Sequence, residues 1–509
     1  MSSQPDLERR AFLSTTVTIA MAAAASSSLM PRHAGAATPT NLAELTVTQA
    51  VEALRAGDLK AEDYATALLA RCRAHADLKA FTTLDDAQAL EAARAADRKR
   101  ASGAALGPLH GLPIVLKDNI DTTALPTTAA TPALRQHRPK ADAPIATALF
   151  REGAVLLGKN NMHELAFGIT SNNAAFGAVG NPYDKTLIPG GSSGGTGAAV
   201  AARMAPAGLG SDTGGSVRIP AALCGISGLR PTVGRYSTRG MVPISSTRDT
   251  AGPMARSVAD LILLDSVITG ESTVVRPARL DEVRLGVPRG YFFENLDPAL
   301  ALVIDDALDK LREAGVALVE ADIPDLAKLN DAISFPIALY ETSQTLPRYL
   351  KESGSDLSLP DVVKAIASPD VKGIFETFIL GSKAIPADVY QGAISTGRPT
   401  LQLAYREYFW RRKVAAMIFP TTPLPARPIG QDAEVEISGK KYPTFPTYIR
   451  NCDPGSNAGI PGLSLPAGLT KDGLPVGIEL DGPAGSDRAL LAIGLALEPV
   501  LGPIPAPRL

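Results

Sequence analysis

Apolar positions in the first part of the chain recur with a helical period. Val47, Val51 and Leu54 share one face, and Tyr64, Leu68 and Cys72 repeat the pattern after a Gly57-Asp58 break, which predicts two opening helices. Residues 87–100 are Ala-rich and end in Arg98-Lys99-Arg100, basic side chains that suit a helix C-terminus. Two short apolar runs then read as strands: Pro113-Ile114-Val115-Leu116, which delivers Lys117 at its end, and Ala154-Val155-Leu156-Leu157, expected to stop at Gly158. Further helices are predicted over 198–203, 258–267 and 299–313, and a hairpin over 435–442 around Ser438-Gly439. Alternating strands and helices predict an α/β core. No repeat, linker or low-complexity block follows residue 37, so one large domain over 37–509 is expected.

Composition narrows the classes. With 509 residues, 45% of them hydrophobic and 20% charged, the chain can bury an extensive core, which excludes disordered and fibrous classes. A formal net charge of -2 lacks the basic excess a nucleic-acid partner needs. Cys72, Cys224 and Cys452 lie far apart in sequence, form no metal-ligand spacing and read as buried apolar residues.

The first 36 residues read as a processing segment. Arg9-Arg10-Ala11-Phe12-Leu13, a run rich in Ala, Ser and Thr to Met30, and Ala34-Gly35-Ala36 together resemble a twin-arginine export signal, although Glu8 stands where such signals usually carry Ser or Thr. The expectation is a periplasmic protein, folded before export, whose mature chain begins near Ala37. No later segment reaches membrane-spanning length without charges or prolines.

The chemistry concentrates in two Gly-Ser loops around one predicted helix. Pro189-Gly190-Gly191-Ser192-Ser193-Gly194-Gly195 is followed by Gly210-Ser211-Asp212-Thr213-Gly214-Gly215-Ser216-Val217-Arg218, with Ser216 placed 24 residues after Ser192. The first loop lacks the Gly-Lys-Ser/Thr ending of a phosphate-binding loop. It does fit the G-x-S-x-G pattern, but His33, His75, His110, His137 and His163 all precede both serines, the wrong order for an α/β-hydrolase triad. A serine hydrolase therefore needs another base. Lys117 serves if burial lowers its pKa toward neutrality; the alternative is a salt bridge to Asp118 or Asp121. Gly214 and Gly215 before Ser216 suit either a tight turn or an oxyanion hole of backbone N–H groups.

These loops, with Gly225-Ile226-Ser227-Gly228-Leu229-Arg230-Pro231-Thr232, Gly111 to Asn119, Asn457 to Pro461 and Gly473 to Gly477, resemble the amidase signature family. The resemblance covers nearly the whole mature chain and is thin between about residues 275 and 415. Arg230 stands where the family more often has lysine. The family's fold is a central mixed, twisted sheet covered by helices on both faces. Its chemistry would make Ser216 the nucleophile, Ser192 a bridging serine on a cis peptide bond, and Lys117 the base. Thr213, Gly214, Gly215 and Ser216 would then hold the oxyanion, with Ser193, Asp212 and Arg218 in support, and Arg218 facing a substrate carboxylate in some members. No metal or organic cofactor is implied.

Phe419-Pro420-Thr421-Thr422-Pro423, Tyr448 to Asn451 and Asp453 to Asn457 look most like the branch of indoleacetamide and mandelamide hydrolases. The implied partner is a small-molecule arylacetamide, with a homodimer left open. Phe445 and Tyr448 are candidates for pocket lining or for core. Anilides, aryl ureas, carbamates and peptide amides are the alternative substrates, and an inactive periplasmic binding relative is the non-enzyme alternative.

Overall fold

The computed structural model describes residues 41–509; the segment 1–36, read as a signal, lies outside them. Thirteen strands occur among these residues: β1 (Phe81–Leu84), β2 (Pro113–Lys117), β3 (Val155–Asn160), β4 (Ala207–Asp212), β5 (Ser227–Arg230), β6 (Thr250–Ala255), β7 (Arg284–Val287), β8 (Ala317–Glu320), β9 (Ala416–Pro420), β10 (Glu434–Ile437), β11 (Lys440–Pro443), β12 (Gly462–Leu469) and β13 (Pro475–Asp481). Eleven form one mixed sheet in the order β1-β3-β2-β4-β6-β5-β12-β13-β9-β7-β8. The β3-β2-β4 and β9-β7-β8 neighbours run parallel and the centre is antiparallel. Every residue of β2, β3, β4, β6, β9 and β13 is buried. Successive side chains on a strand point to opposite faces, so helices and loops cover both faces of the sheet.

Local signals account for the helices. Val47–Ala56 starts on a reciprocal Thr46/Gln49 capping box and ends at Gly57 in the left-handed region. Asp85 caps Asp86–Ala101, and Ser257 caps Val258–Thr269. The hairpin turns at Ser438 and Gly439, whose φ angles are 51° and 78°.

The expected strand end at Gly158 is corrected: β3 runs on to Asn160. A β-carbon at Gly158 would lie 2.7 Å from Leu84 Cδ2 and 2.8 Å from Thr83 O, so this glycine admits the neighbouring strand β1 and does not mark a turn. The helix expected over 198–203 begins earlier and spans Gly194–Ala201. It lies so close to the strands below that a β-carbon at Gly195 would come within 2.2 Å of Asn161 O.

Among the described residues no helix is long and apolar enough to cross a membrane. Cys72, Cys224 and Cys452 are buried and free.

Candidate active site

Strand direction assembles the site. Because β2, β3 and β4 are parallel neighbours, their C-terminal ends leave the sheet on the same edge. The first end carries Lys117, the second leads into the loop that holds Ser192, and the third into Asp212 and Ser216.

Lys117 is fully buried, with Nζ 2.7 Å from Ser192 Oγ, 2.8 Å from Ser211 Oγ and 3.5 Å from Ser211 O. Burial, opposed by the carboxylates of Asp212 and Asp249, lowers its pKa from 10.5 to about 7. The salt-bridge alternative is excluded. Asp118 lies 3.5 Å from Lys159 Nζ and accepts a hydrogen bond from Thr128, while Asp121 accepts one from Tyr349 OH at 2.7 Å. Ser211 was not singled out in the sequence. It sits on β4 beside Asp212, and its hydroxyl also accepts from Asn119 Nδ2 at 3.0 Å, two residues beyond Lys117. The -Gly-Ser-Asp- ending of an otherwise apolar strand was its only signal.

Ser192 follows a cis Gly191-Ser192 peptide, and its carbonyl accepts the His163 N–H at 3.2 Å. Ser193 ties the loops together. Its hydroxyl donates to Ser211 O and accepts from Ser211 N–H, both at 3.2 Å, and its N–H donates to Ser216 O at 3.1 Å. Ser216 is 8% exposed, whereas Lys117 and Ser192 are fully enclosed, so among the three it is Ser216 that solvent reaches.

Beneath the serine loops lies a buried ionic layer. Asp212 accepts from the N–H groups of Gly215 at 2.8 Å and Val217 at 3.1 Å, from Arg218 Nε and Nη2 at 3.1 Å, and from Arg230 Nη1 at 2.9 Å. Burial alone would raise the Asp212 pKa; the two guanidinium groups hold it well below the ordinary carboxylate range. Arg218 is wholly buried and also donates to Glu479, Ser456 Oγ and Cys452 O, so it does not face a substrate, contrary to one expectation. Burial raises the pKa of both Glu479 and Asp481, the charge of Glu479 pushes Asp481 up further, and Arg218 opposes the rise in each. Arg230, the departure from the family pattern, belongs to this layer, bonding Asp212 O at 2.5 Å and Arg248 O at 2.8 Å.

The oxyanion expectation also changes in one detail. The Gly215 N–H is already donated to Asp212 Oδ1 at 2.8 Å, whereas those of Thr213, Gly214 and Ser216 have no partner among the described residues. Thr213 is clamped by its own hydroxyl on Asp249 at 2.6 Å and by Arg248 Nε on its carbonyl at 3.2 Å. Tyr448 proves to be core, its buried hydroxyl donating to Pro425 O at 2.8 Å, while Phe445 is half-buried.

A near-neutral lysine against a serine hydroxyl, beside a second and accessible serine on a glycine loop, can activate an oxygen nucleophile without histidine or metal. The comparisons agree. The family model described as amidase matches residues 63–491. An indoleacetamide hydrolase of Agrobacterium vitis is 49% identical over 452 residues, covering 89% of this chain and 96% of that one. A mandelamide hydrolase of Pseudomonas putida is 41% identical over 487 residues, covering 92% and 94%. The crystal structure of the peptide amidase of Stenotrophomonas maltophilia superposes with a TM-score of 0.77 at 30% identity, over 91% of this chain and 98% of that one. On fold, loop sequence and site chemistry alike, the chain belongs to the amidase signature family of hydrolases acting on amide C–N bonds.

Proposed function

We propose that the protein hydrolyses a primary arylacetamide to the carboxylate and ammonia through an acyl-enzyme on Ser216. The contact of Lys117 Nζ with Ser192 Oγ at 2.7 Å, in a burial that brings the lysine pKa to about 7, carries this reading. Neutral Lys117 takes the Ser192 proton as Ser192 Oγ takes that of Ser216, and Ser216 Oγ attacks the amide carbonyl carbon. The free N–H groups of Thr213, Gly214 and Ser216 receive the developing oxyanion. The proton returns through Ser192 to the amide nitrogen, the C–N bond breaks and ammonia leaves. Water, deprotonated by the same relay, attacks the ester carbonyl, and the carboxylate is released with the proton back on Ser216. The similarity to indoleacetamide and mandelamide hydrolases supports the aryl substrate class. Residues 1–36 support export to the periplasm.

Ammonia release from indole-3-acetamide, mandelamide and phenylacetamide tests the substrate, with Ser216→Ala measured in parallel. Release that vanishes in a folded Ser216→Ala protein is expected. Undiminished turnover in that variant overturns the mechanism, and silence toward all three amides, with fluorophosphonate still labelling Ser216, moves the substrate to anilides, ureas or carbamates. Fractionation of cells expressing the full chain against an Arg9→Lys/Arg10→Lys variant tests export.

A further inference from the structure

The glycine loop before Ser216 is bordered by an apolar arc drawn from two distant segments. A β-carbon at Gly214 would lie 2.7 Å from Ile449 Cδ1, so Ile449 presses directly on the backbone whose N–H is free for an oxyanion. Ile449 ends the short helix Thr444–Ile449, and Phe445, four residues earlier, shares its face. Phe445 in turn meets Phe335, with ring centroids 6.2 Å apart and planes inclined at 46°. Phe335 is anchored from the other side: Arg248 Nη1 donates to Ser334 O at 3.0 Å, and Arg248 Nη2 lies 3.2 Å from the same Gly214 β-carbon position.

The charge in this wall is cancelled. Arg248 is paired with Asp453, which also accepts from Asn330 at 2.8 Å and Asn457 at 3.1 Å, so the guanidinium offers no unmatched charge to a ligand. Phe335 nevertheless stays 51% exposed, although its ring stands beside that of Phe445. A large aromatic side chain left half in water at the outer end of an apolar arc that reaches Gly214 is poised to pack on a ligand.

Resting on the arylacetamide reading, we propose that Ile449, Phe445 and Phe335 form the wall that receives the aromatic group on the acyl side of the substrate. Ile449 lies nearest the carbonyl and Phe335 at the rim, and the two rings set the preference for aryl over alkyl amides. Recognition is by apolar and edge-to-face contact alone, so a neutral aryl group is taken and an anionic one gains nothing.

The experiment compares kcat/KM for phenylacetamide, butyramide and acetanilide in the wild type, Phe335→Ala, Phe445→Ala and the gentler Phe445→Leu, with folding checked by circular dichroism. The phenylacetamide-to-butyramide ratio should fall about tenfold in the Phe445 variants and several-fold in Phe335→Ala, mainly through a higher KM. An unchanged ratio in folded Phe335→Ala and Phe445→Leu overturns the wall and leaves the arylacetamide reading intact. A loss confined to acetanilide overturns its placement on the acyl side. A wild type that cleaves no arylacetamide overturns the substrate reading and the wall together.

Discussion

Two lysines, Lys117 and Lys159, stand on adjacent parallel strands, both wholly buried, and burial lowers the pKa of both. Their surroundings differ. Lys159 Nζ faces Ile120 O at 2.6 Å, Thr127 Oγ1 at 2.9 Å, Pro126 O at 3.3 Å and the carboxylate of Asp118 at 3.5 Å, a set of acceptors that fits an ammonium. Lys117 Nζ faces two serine hydroxyls, which can donate as well as accept, and has no carboxylate within 4.0 Å among the described residues. Burial of both therefore leaves one lysine a structural tie that holds the 118–128 loop and the other a candidate base. Burial makes a lysine adjustable; its partners decide what it is adjusted for.

The comparison breaks most visibly when each lysine is replaced. Lys117→Met should lower kcat by about 10⁴-fold without lowering Tm, since the relay loses its base. Lys159→Met should leave Asp118 buried without its partner and cost about 3–5 kcal/mol, read as a lower denaturation midpoint, with a much smaller change in kcat. If the two variants behave alike, the division of roles is wrong.

A pH profile sharpens it next. Only neutral Lys117 can accept a proton, so kcat/KM should fall about tenfold per pH unit below about 7 and level off above it. The stability linkage has the same origin. Because the folded pKa is lowered from 10.5 to about 7, keeping Lys117 buried costs stability fully below pH 7, and the cost fades as pH rises toward 10.5. A rate limb centred on the ordinary lysine range would show that Lys117 is not the group titrating.

Ser211→Ala removes one acceptor from the Lys117 ammonium and should lower kcat/KM about tenfold while moving the acid limb to lower pH, because the charged form loses more than the neutral one. The smallest effect is expected for Arg230→Lys. It can keep the bond to Asp212 but gives up the one to Arg248 O, a loss of about 1 kcal/mol in thermal or denaturant unfolding with kcat nearly retained.

The opening helices, the hairpin at Ser438-Gly439 and the strand ending in Lys117 could be read directly, because each is set by a local period or cap. Gly158 misled because a glycine required by close strand approach looks the same in sequence as one required by a turn. In the site, Lys117, Ser192 and Ser216 stood out through their loops and their resemblance to a family. Ser211, Asn119 and the Arg218–Glu479 pair did not, since their partners lie between 92 and 261 residues away along the chain. The part of the wall contributed by Phe335 falls where the resemblance is thinnest.

By itself, then, the sequence determined the α/β class, the order of the site segments and the absence of a histidine able to serve an α/β-hydrolase triad, all of which follow from residue type and spacing. Only the tertiary structure decided which aspartate pairs with which lysine, that Arg218 is spent on a buried ionic layer, and that Gly215 gives its N–H to Asp212. Those outcomes depend on desolvation and on distances of a few ångströms between segments far apart in the chain, quantities that no local pattern encodes.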